Sequence, residues 1–330
     1  MIIRDKQDLR RCVKQAVRRA EVIDTRLDFD VQRGEVGVGA LMGTLTSGEA
    51  ALGSGTPLGS DAVEAFAALD ALDLPVHDLE KAEAIAHGYD RESYLAQVLR
   101  AAHIRRVLVS VPLAQAEQTA FADNRFAPLL TVGEDAFAPG RYGVDYQEVA
   151  QRIAQAARAC GAKDVSLETW DMQAAMYCLA PVCEDECLVL HVRLHTPGQV
   201  SQLLQTMDAH PGLRVLACGR DQAERALLEA SAENRQLLVR LTNPRRLGEA
   251  VGLLGTRVLA YSACAKLPEQ MLGRWVRVKE LVWQALYEAY LPLARAGYEL
   301  TDDAVERDAA RMLGGAYEEL YTTVYEDGRY

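Results

Sequence analysis

The sequence predicts an α/β protein, a (β/α)8 TIM barrel with an N-terminal helix and a helical C-terminal extension. Three observations carry that expectation. Short apolar runs read as buried strands near Val22–Asp30, Ile104–Val111, Ala127–Val132, Asp164–Leu167, Leu188–Leu194, Leu213–Cys218, Leu237–Leu241 and Val258–Tyr261. Segments rich in Ala, Leu, Glu and Arg, long enough for helices, lie between the later runs. From Asp164 onward the units recur at roughly 20–26 residues, the repeat of βα units in a parallel sheet. The count of eight runs is that of a (β/α)8 barrel. An open doubly wound sheet is the alternative, since a strand count does not show closure.

The N-terminal helix is expected from Asp5, a capping residue, and from Leu9, Val13, Ala16, Val17 and Ala20 at helical spacing. Its other face carries Arg10, Arg11, Lys14, Arg18 and Arg19 and reads as solvated. The opening strand alternates, with Asp24, Arg26, Asp28 and Asp30 expected on one side and Ile23, Thr25, Leu27 and Phe29 on the other. Residues 31–60 are rich in glycine, without the spacing of a phosphate-binding loop. Helices are expected from Ser60 and between Asp78 and His103. The whole chain, 1–330, is expected to be a single domain. Within it, residues 31–100 would form a glycine-rich loop and helical insertion over the barrel mouth, and 267–330 the C-terminal helices. In that tail, Met271, Trp275, Val278, Val282, Ala285 and Ala289 make an apolar stripe, and Thr301 starts a further helix. Tyr317, Tyr321 and Tyr325, at i, i+4 and i+8, read as packing or as part of a subunit contact.

The bulk numbers exclude some functions. A net charge of −11 argues against nucleic acid or an anionic membrane as partner. No long apolar run suggests a span, and the first residues lack a signal-like apolar core, so the protein is expected in the cytoplasm. Seven cysteines do not suggest a disulfide framework. Cys178, Cys183 and Cys187, spaced x4 and x3, lack the fourth ligand of a usual structural zinc site and read as free thiols.

In a barrel of this kind the site lies at the C-terminal ends of the strands. Those positions bring up Asp24, Arg26 and Asp28, then His191, Arg193 and His195, then Cys218 and Arg220. Arg240, Thr242 and Asn243 follow, and Ser262, Cys264 and Lys266 close the set. Arg26, Arg193, Arg220 and Lys266 would make a cationic mouth on an acidic protein, suited to an anionic small molecule. Surface ion pairs with Asp28, Asp221 and Glu168 are the competing explanation. The expected ligand-binding residues are Arg26, Arg193, Arg220 and Asn243, and the acid–base candidates are Asp28, His191 and Lys266.

The sequence also resembles a known family. Leu253-Leu254-Gly255-Thr256, Thr242-Asn243-Pro244 and Trp275–Val278 are similar to segments of the uronate isomerase (glucuronate isomerase) branch of the amidohydrolase superfamily. So are Leu293 to Leu300 with Thr301, Arg307-Asp308, Leu313-Gly314-Gly315-Ala316-Tyr317-Glu318 and the stretch from Met1 to Asp24. Arg220-Asp221-Gln222 resembles the family's Arg-Glu-Asn after strand 6, and Arg193 falls where strand 5 carries an arginine. Residues 31–100 fit poorly and look shortened.

The resemblance implies a TIM barrel of the metal-dependent hydrolase type, often holding zinc, that isomerises hexuronates such as glucuronate to fructuronate. It also implies assembly into a homo-oligomer. The family holds its metal through a His-x-His after strand 1 and an Asp after strand 8. Here Arg26 and Asp28 stand in the first frame, and Cys264 stands in the second, within Ser262-Ala263-Cys264-Ala265-Lys266. A protonated guanidinium offers no lone pair to a cation and repels it. No cofactor is therefore expected, and catalysis is expected to be lost or altered, with a sugar acid as ligand. The alternatives are an active hexuronate isomerase working without the usual metal and a non-catalytic partner subunit of an active paralogue.

Overall fold

The structure is a computed structural model and describes residues 5–28, 60–76, 78–137, 145–168 and 172–322. Much of the expected glycine-rich segment, together with Phe29, Asp30 and Tyr325, lies outside the described residues.

Seven parallel strands form one curled, TIM-barrel-like sheet in the sequential order β1 to β7. They are β1 (Val22–Leu27), β2 (Ile104–Pro112), β3 (Phe126–Gly133), β4 (Asp164–Glu168), β5 (Val189–Leu194), β6 (Arg214–Gly219) and β7 (Leu237–Val239). The helices are α1 (Lys6–Arg19), α2 (Ser60–Ala71), α3 (Leu79–His87), α4 (Arg91–Ala101), α5 (Tyr146–Cys160) and α6 (Met172–Asp185). After them come α7 (Pro197–Ala209), α8 (Asp221–Glu233), α9 (Leu247–Leu254), α10 (Pro268–Arg295), α11 (Asp302–Ala310) and α12 (Ala316–Thr322). A helix follows each of β3 to β7, which is the connection a parallel pair of neighbouring strands requires.

The expected eighth strand is corrected. Residues 258–265 make no strand and contribute two isolated bridges, Leu259 to Arg240 and Ala265 to Leu27. Leu259 N–H donates to Val239 O at 2.9 Å, and Cys264 N–H donates to Arg26 O at 3.1 Å. The segment therefore reaches both β7 and β1 but does not run straight between them. Cys264 has φ 45°, outside the extended region that a continuous ladder requires.

The alternation in β1 is broken as well. Its pairing with β2 shifts register between Asp24 and Leu27, a bulge-like irregularity. Asp24 and Arg26 consequently do not share one face, and Asp30 lies outside the described residues. Asp24 is fully buried and faces α10, where Trp275 Nε1–H donates to it at 2.8 Å. Arg26 reaches the mouth instead.

Two layers of residues fix the two ends of the sheet. At the N-terminal end, Ile23, Leu108, Leu129, Val189, Leu216, Leu238 and Leu259 form an apolar cluster that Ala316, Tyr317 and Leu320 of α12 plug. A π-turn at Arg311–Gly315 delivers α12, and Gly314, at φ 147°, lies against Ile23 where a Cβ would come within 2.6 Å. At the other end, α2 packs along α10. The contact is close at Gly273, where a Cβ would lie 2.0 Å from the Glu64 carbonyl oxygen. Asp5 caps α1 as expected, and Leu9, Val13, Ala16 and Val17 are its buried face. Part of its basic face is engaged: Lys14 and Arg10 lie over the Trp283 ring of α10. No helix among the described residues is long and apolar enough to cross a membrane.

Candidate functional site

A cavity of about 390 Å³ opens at the C-terminal ends of β1 and β4 to β7. Its lining comes from successive strands, so the parallel order alone brings the residues together. Arg26 comes from β1, Ser166 and Glu168 from β4, His191 and Arg193 from β5, Cys218 from β6, and Arg220 and Arg240 from the positions just past β6 and β7. His195 also lines it.

Four of these side chains are arginines, in two electrostatic situations. Arg26 is neutralised: its Nε–H donates to Asp28 at 2.9 Å and its other arm pairs with Glu168. Burial opposes the Arg26 charge, but Asp28 and Glu168 outweigh it and hold the guanidinium above its ordinary pKa. Arg193 and Arg220 are exposed on the rim and have no ion-pair partner among the described residues.

Arg240 is the contrasting case. It is only 6% exposed, and among the described residues no carboxylate hydrogen-bonds or ion-pairs with it. Its Nη1–H donates to Thr25 Oγ1 at 3.1 Å and its Nη2–H to Cys218 Sγ at 3.4 Å. Burial works against this charge, while Cys218, Cys264 and Asp24 around it keep the guanidinium protonated. Its direct partners among the described residues, a hydroxyl and a thiol, carry no opposite charge, and Asp24 acts on it only at a distance, so its burial is costly.

His191 sits beside it on the floor, 4% exposed. Its Nε2 lies 2.9 Å from Asp164 Oδ1, while its Nδ1 is buried without a hydrogen-bond partner among the described residues. Burial lowers the His191 pKa, Asp164 raises it by hydrogen bond and by charge, and Arg240 and Arg26 lower it again, with a net fall. Asp164 is held in turn from below. Tyr317 Oη–H donates to its Oδ1 at 2.5 Å and Tyr321 Oη–H to its Oδ2 at 2.6 Å.

The structure separates the residues the sequence had grouped. Arg26, His191, Arg193 and Arg220 line the cavity. Asp28 stands beside it only as the partner of Arg26. Asn243 is exposed, and its side-chain oxygen accepts from Arg245 N–H at 3.1 Å, capping a short turn. The neighbouring Thr242 is tied to buried Glu224 at 2.8 Å, which explains the Thr242-Asn243-Pro244 stretch as loop architecture. Lys266 is exposed and does not line the cavity. Cys264 turns its thiol toward Ser262 Oγ at 3.9 Å. Sequence reasoning missed the roles of Asp164, Arg240 and the two tyrosines. The i, i+4 tyrosine pair was the available signal, but it reads equally well as packing.

A divalent metal of the kind the resemblance implies does not fit the groups at the ends of strand 1 and the 258–265 segment. Arg26 has no lone pair, Asp28 is committed to Arg26, and Cys264 is the one soft donor nearby. Among the described residues no group of three or more His, Cys, Asp or Glu side chains is arranged to hold a metal ion.

No protein-family model matches the chain, and no curated protein sequence matches it. Solved structures do. A uronate isomerase from Bacillus halodurans C-125 aligns with a TM-score of 0.80 over 97% of this chain and 99% of that chain, at 15% identity. A glucuronate isomerase from Caulobacter crescentus aligns with a TM-score of 0.55 over 98% of this chain and 95% of that chain, at 11% identity. The chain therefore has a uronate isomerase-like fold.

Proposed function

We propose that this protein binds a small anionic sugar acid at the C-terminal mouth of a uronate isomerase-like barrel, with metal-dependent catalysis lost or altered. Arg240 carries the reading. A guanidinium buried on a cavity floor, with no directly paired carboxylate among the described residues, is favoured to take one from a ligand, bidentately where geometry allows. Arg193 and Arg220 on the rim add attraction for anions without neutralising partners among the described residues. The loss of metal chemistry is supported by the donor set. Where the resemblance places two histidines and an aspartate stand Arg26, Asp28 and Cys264, and Arg26 forms an internal ion-pair cluster there.

The second reading, hexuronate isomerisation without the usual metal, is favoured by one observation. His191, held through Nε2 by Asp164, lines the same cavity.

Calorimetric titration with glucuronate and galacturonate, combined with an assay for ketose formation, tests the proposal. Binding that weakens with added salt supports it, as expected for guanidinium–carboxylate recognition. No binding of either uronate up to about 1 mM, the affinity of roughly two charged hydrogen bonds, contradicts it.

A further inference from the structure

We propose that a second cavity, at the N-terminal end of the sheet, binds the phosphate group of a small organic phosphate monoester through Arg235, Arg257 and Arg311. The inference goes beyond the sugar-acid reading and does not depend on it, because the two cavities share no lining residue.

This cavity holds about 470 Å³ and lies where α12 meets the α8–β7 turn and the end of α9. One wall is apolar, from Leu238 of β7, Leu254 of α9 and Leu320 of α12. The other is charged. Arg235 comes from the α8–β7 turn, Arg257 from just past α9, Arg311 from the π-turn and Glu319 from α12. Three cations against one carboxylate make a positive pocket in a chain whose net charge is −11.

The fold uses only part of this cluster. Arg311 braces α12: its Nη2–H donates to Glu319 Oε2 at 2.9 Å and its Nη1–H to Thr256 Oγ1 at 3.2 Å. Its Nε lies 2.8 Å from Glu319 Oε1 but is not aligned to donate to it. Arg257 is half-buried, and its direct partners are neutral: it donates to Asn234 O at 3.1 Å and to Ser231 Oγ at 3.4 Å. Arg235 is exposed and has no directly paired carboxylate among the described residues. Burial lowers the Arg257 pKa, Arg235 and Arg311 lower it further by repulsion, and Glu319 opposes them, with a net fall. Like charges gathered around a void and only partly neutralised are stabilised by an anion that bridges them.

Phosphate matches this wall better than a carboxylate does. A phosphate monoester carries about −1.5 to −2 charges at pH 7 and three strong acceptor oxygens, so one group can serve several guanidinium forks. Inorganic phosphate would leave the leucine wall uncovered. An ester whose carbon body lies on Leu238, Leu254 and Leu320 gains apolar burial as well, in a cavity of ordinary size for a small ligand. Nucleoside monophosphates and sugar phosphates share the recognised group. The leucine wall favours the nucleotide, whose base offers an apolar face.

Calorimetric titration of the full chain with adenosine 5′-monophosphate, glucose 6-phosphate and inorganic phosphate tests the proposal. Adenosine monophosphate should bind below about 1 mM and at least about threefold tighter than inorganic phosphate. Arg235→Ala changes an exposed side chain, so the protein should unfold at the wild-type temperature while adenosine monophosphate binding weakens about 10-fold. Glu319→Gln should tighten binding about threefold, because it removes the one carboxylate that opposes the ligand. A purely structural arginine cluster would not produce that gain. Arg240→Met, in the other cavity, should leave adenosine monophosphate affinity within about twofold. Tighter binding of glucose 6-phosphate than of the nucleotide would keep the phosphate site and make a sugar phosphate its source. No binding of either ester up to about 5 mM overturns the proposal, as does inorganic phosphate binding equally well. So does loss of nucleotide binding in Arg240→Met with none in Arg235→Ala, which would place the anion in the mouth.

Discussion

The two arginines at the ends of β1 and β7 face the same cavity in opposite states. Arg26 is satisfied by Asp28 and Glu168 and is partly exposed. Arg240 is buried, and its hydrogen-bond partners among the described residues are a hydroxyl and a thiol. The first is an internal brace that costs the protein little. The second is a charge without a directly paired carboxylate among the described residues, which is why the proposed ligand is placed there. The difference teaches that the position where the sequence departs from the family it resembles can be internally satisfied while a different arginine is left for the proposed ligand. At β1 the arginine is closed into an ion-pair cluster with Asp28 and Glu168, while the floor between β5 and β7 carries Arg240 with no such cluster among the described residues.

Strand β1 itself provides the test with the largest expected effect. Asp24, two residues from Arg26, is buried and accepts from Trp275, Ser262, Ala263 N–H and Arg26 N–H. Burial raises its pKa, and those hydrogen bonds oppose the rise. Asp24→Leu should destabilise the fold by about 3–5 kcal/mol in urea unfolding, because it strands several buried donors at once. A loss under about 1 kcal/mol would mean that Asp24 does not tie β1 to α10.

Next comes the contrast itself. Arg240→Met should weaken uronate binding by about 30-fold or more while leaving stability equal or higher, as expected when a buried charge without a counter-ion is replaced by an apolar side chain. Arg26→Met should behave the other way. It leaves Asp28 and Glu168 unpaired, lowers stability by about 1 kcal/mol at this partly exposed site, and changes binding by only a fewfold. Equal effects of the two substitutions on binding would erase the distinction.

Acid unfolding gives a smaller effect with a defined sign. The folded His191 pKa lies below its ordinary 6.5, so below that pH the unfolded chain binds a proton the native state refuses. Stability should fall as pH drops from 6.5 toward the folded pKa, with a slope approaching about 1.4 kcal/mol per pH unit from this group. His191→Gln should flatten that slope, and an unchanged slope would show that His191 is not the group responsible. The smallest effects belong to Asn243→Ala and Lys266→Ala. Both residues lie outside the cavity, so uronate affinity should change by less than about twofold in calorimetry.

Much of the fold was legible because buried parallel strands are continuous apolar runs, and seven of those runs are strands here. The eighth run, Val258–Tyr261, has the right composition. Its course is set by contacts far away in sequence, Asp24 with Ser262 and Arg26 O with Cys264 N, which no local pattern encodes. The same limit explains the site. Arg26, Arg193 and Arg220 could be picked out because strand ends have a simple rule. That rule cannot say which arginine is paired, and it placed Asn243 beside the ligand although its side chain caps a turn. Asp164 at the start of β4 and Tyr317 on α12 meet across 153 residues, so their clamp on His191 has no sequence spacing to betray it.

The central claim is that the cavity takes its anion through arginine and without a metal. It is tested most directly by titrating galacturonate into chelator-treated protein while measuring the metal content of the same sample. Undiminished binding with no stoichiometric metal is the expected result. About one zinc or manganese per chain before treatment, with binding lost on chelation and restored by the ion, would contradict it.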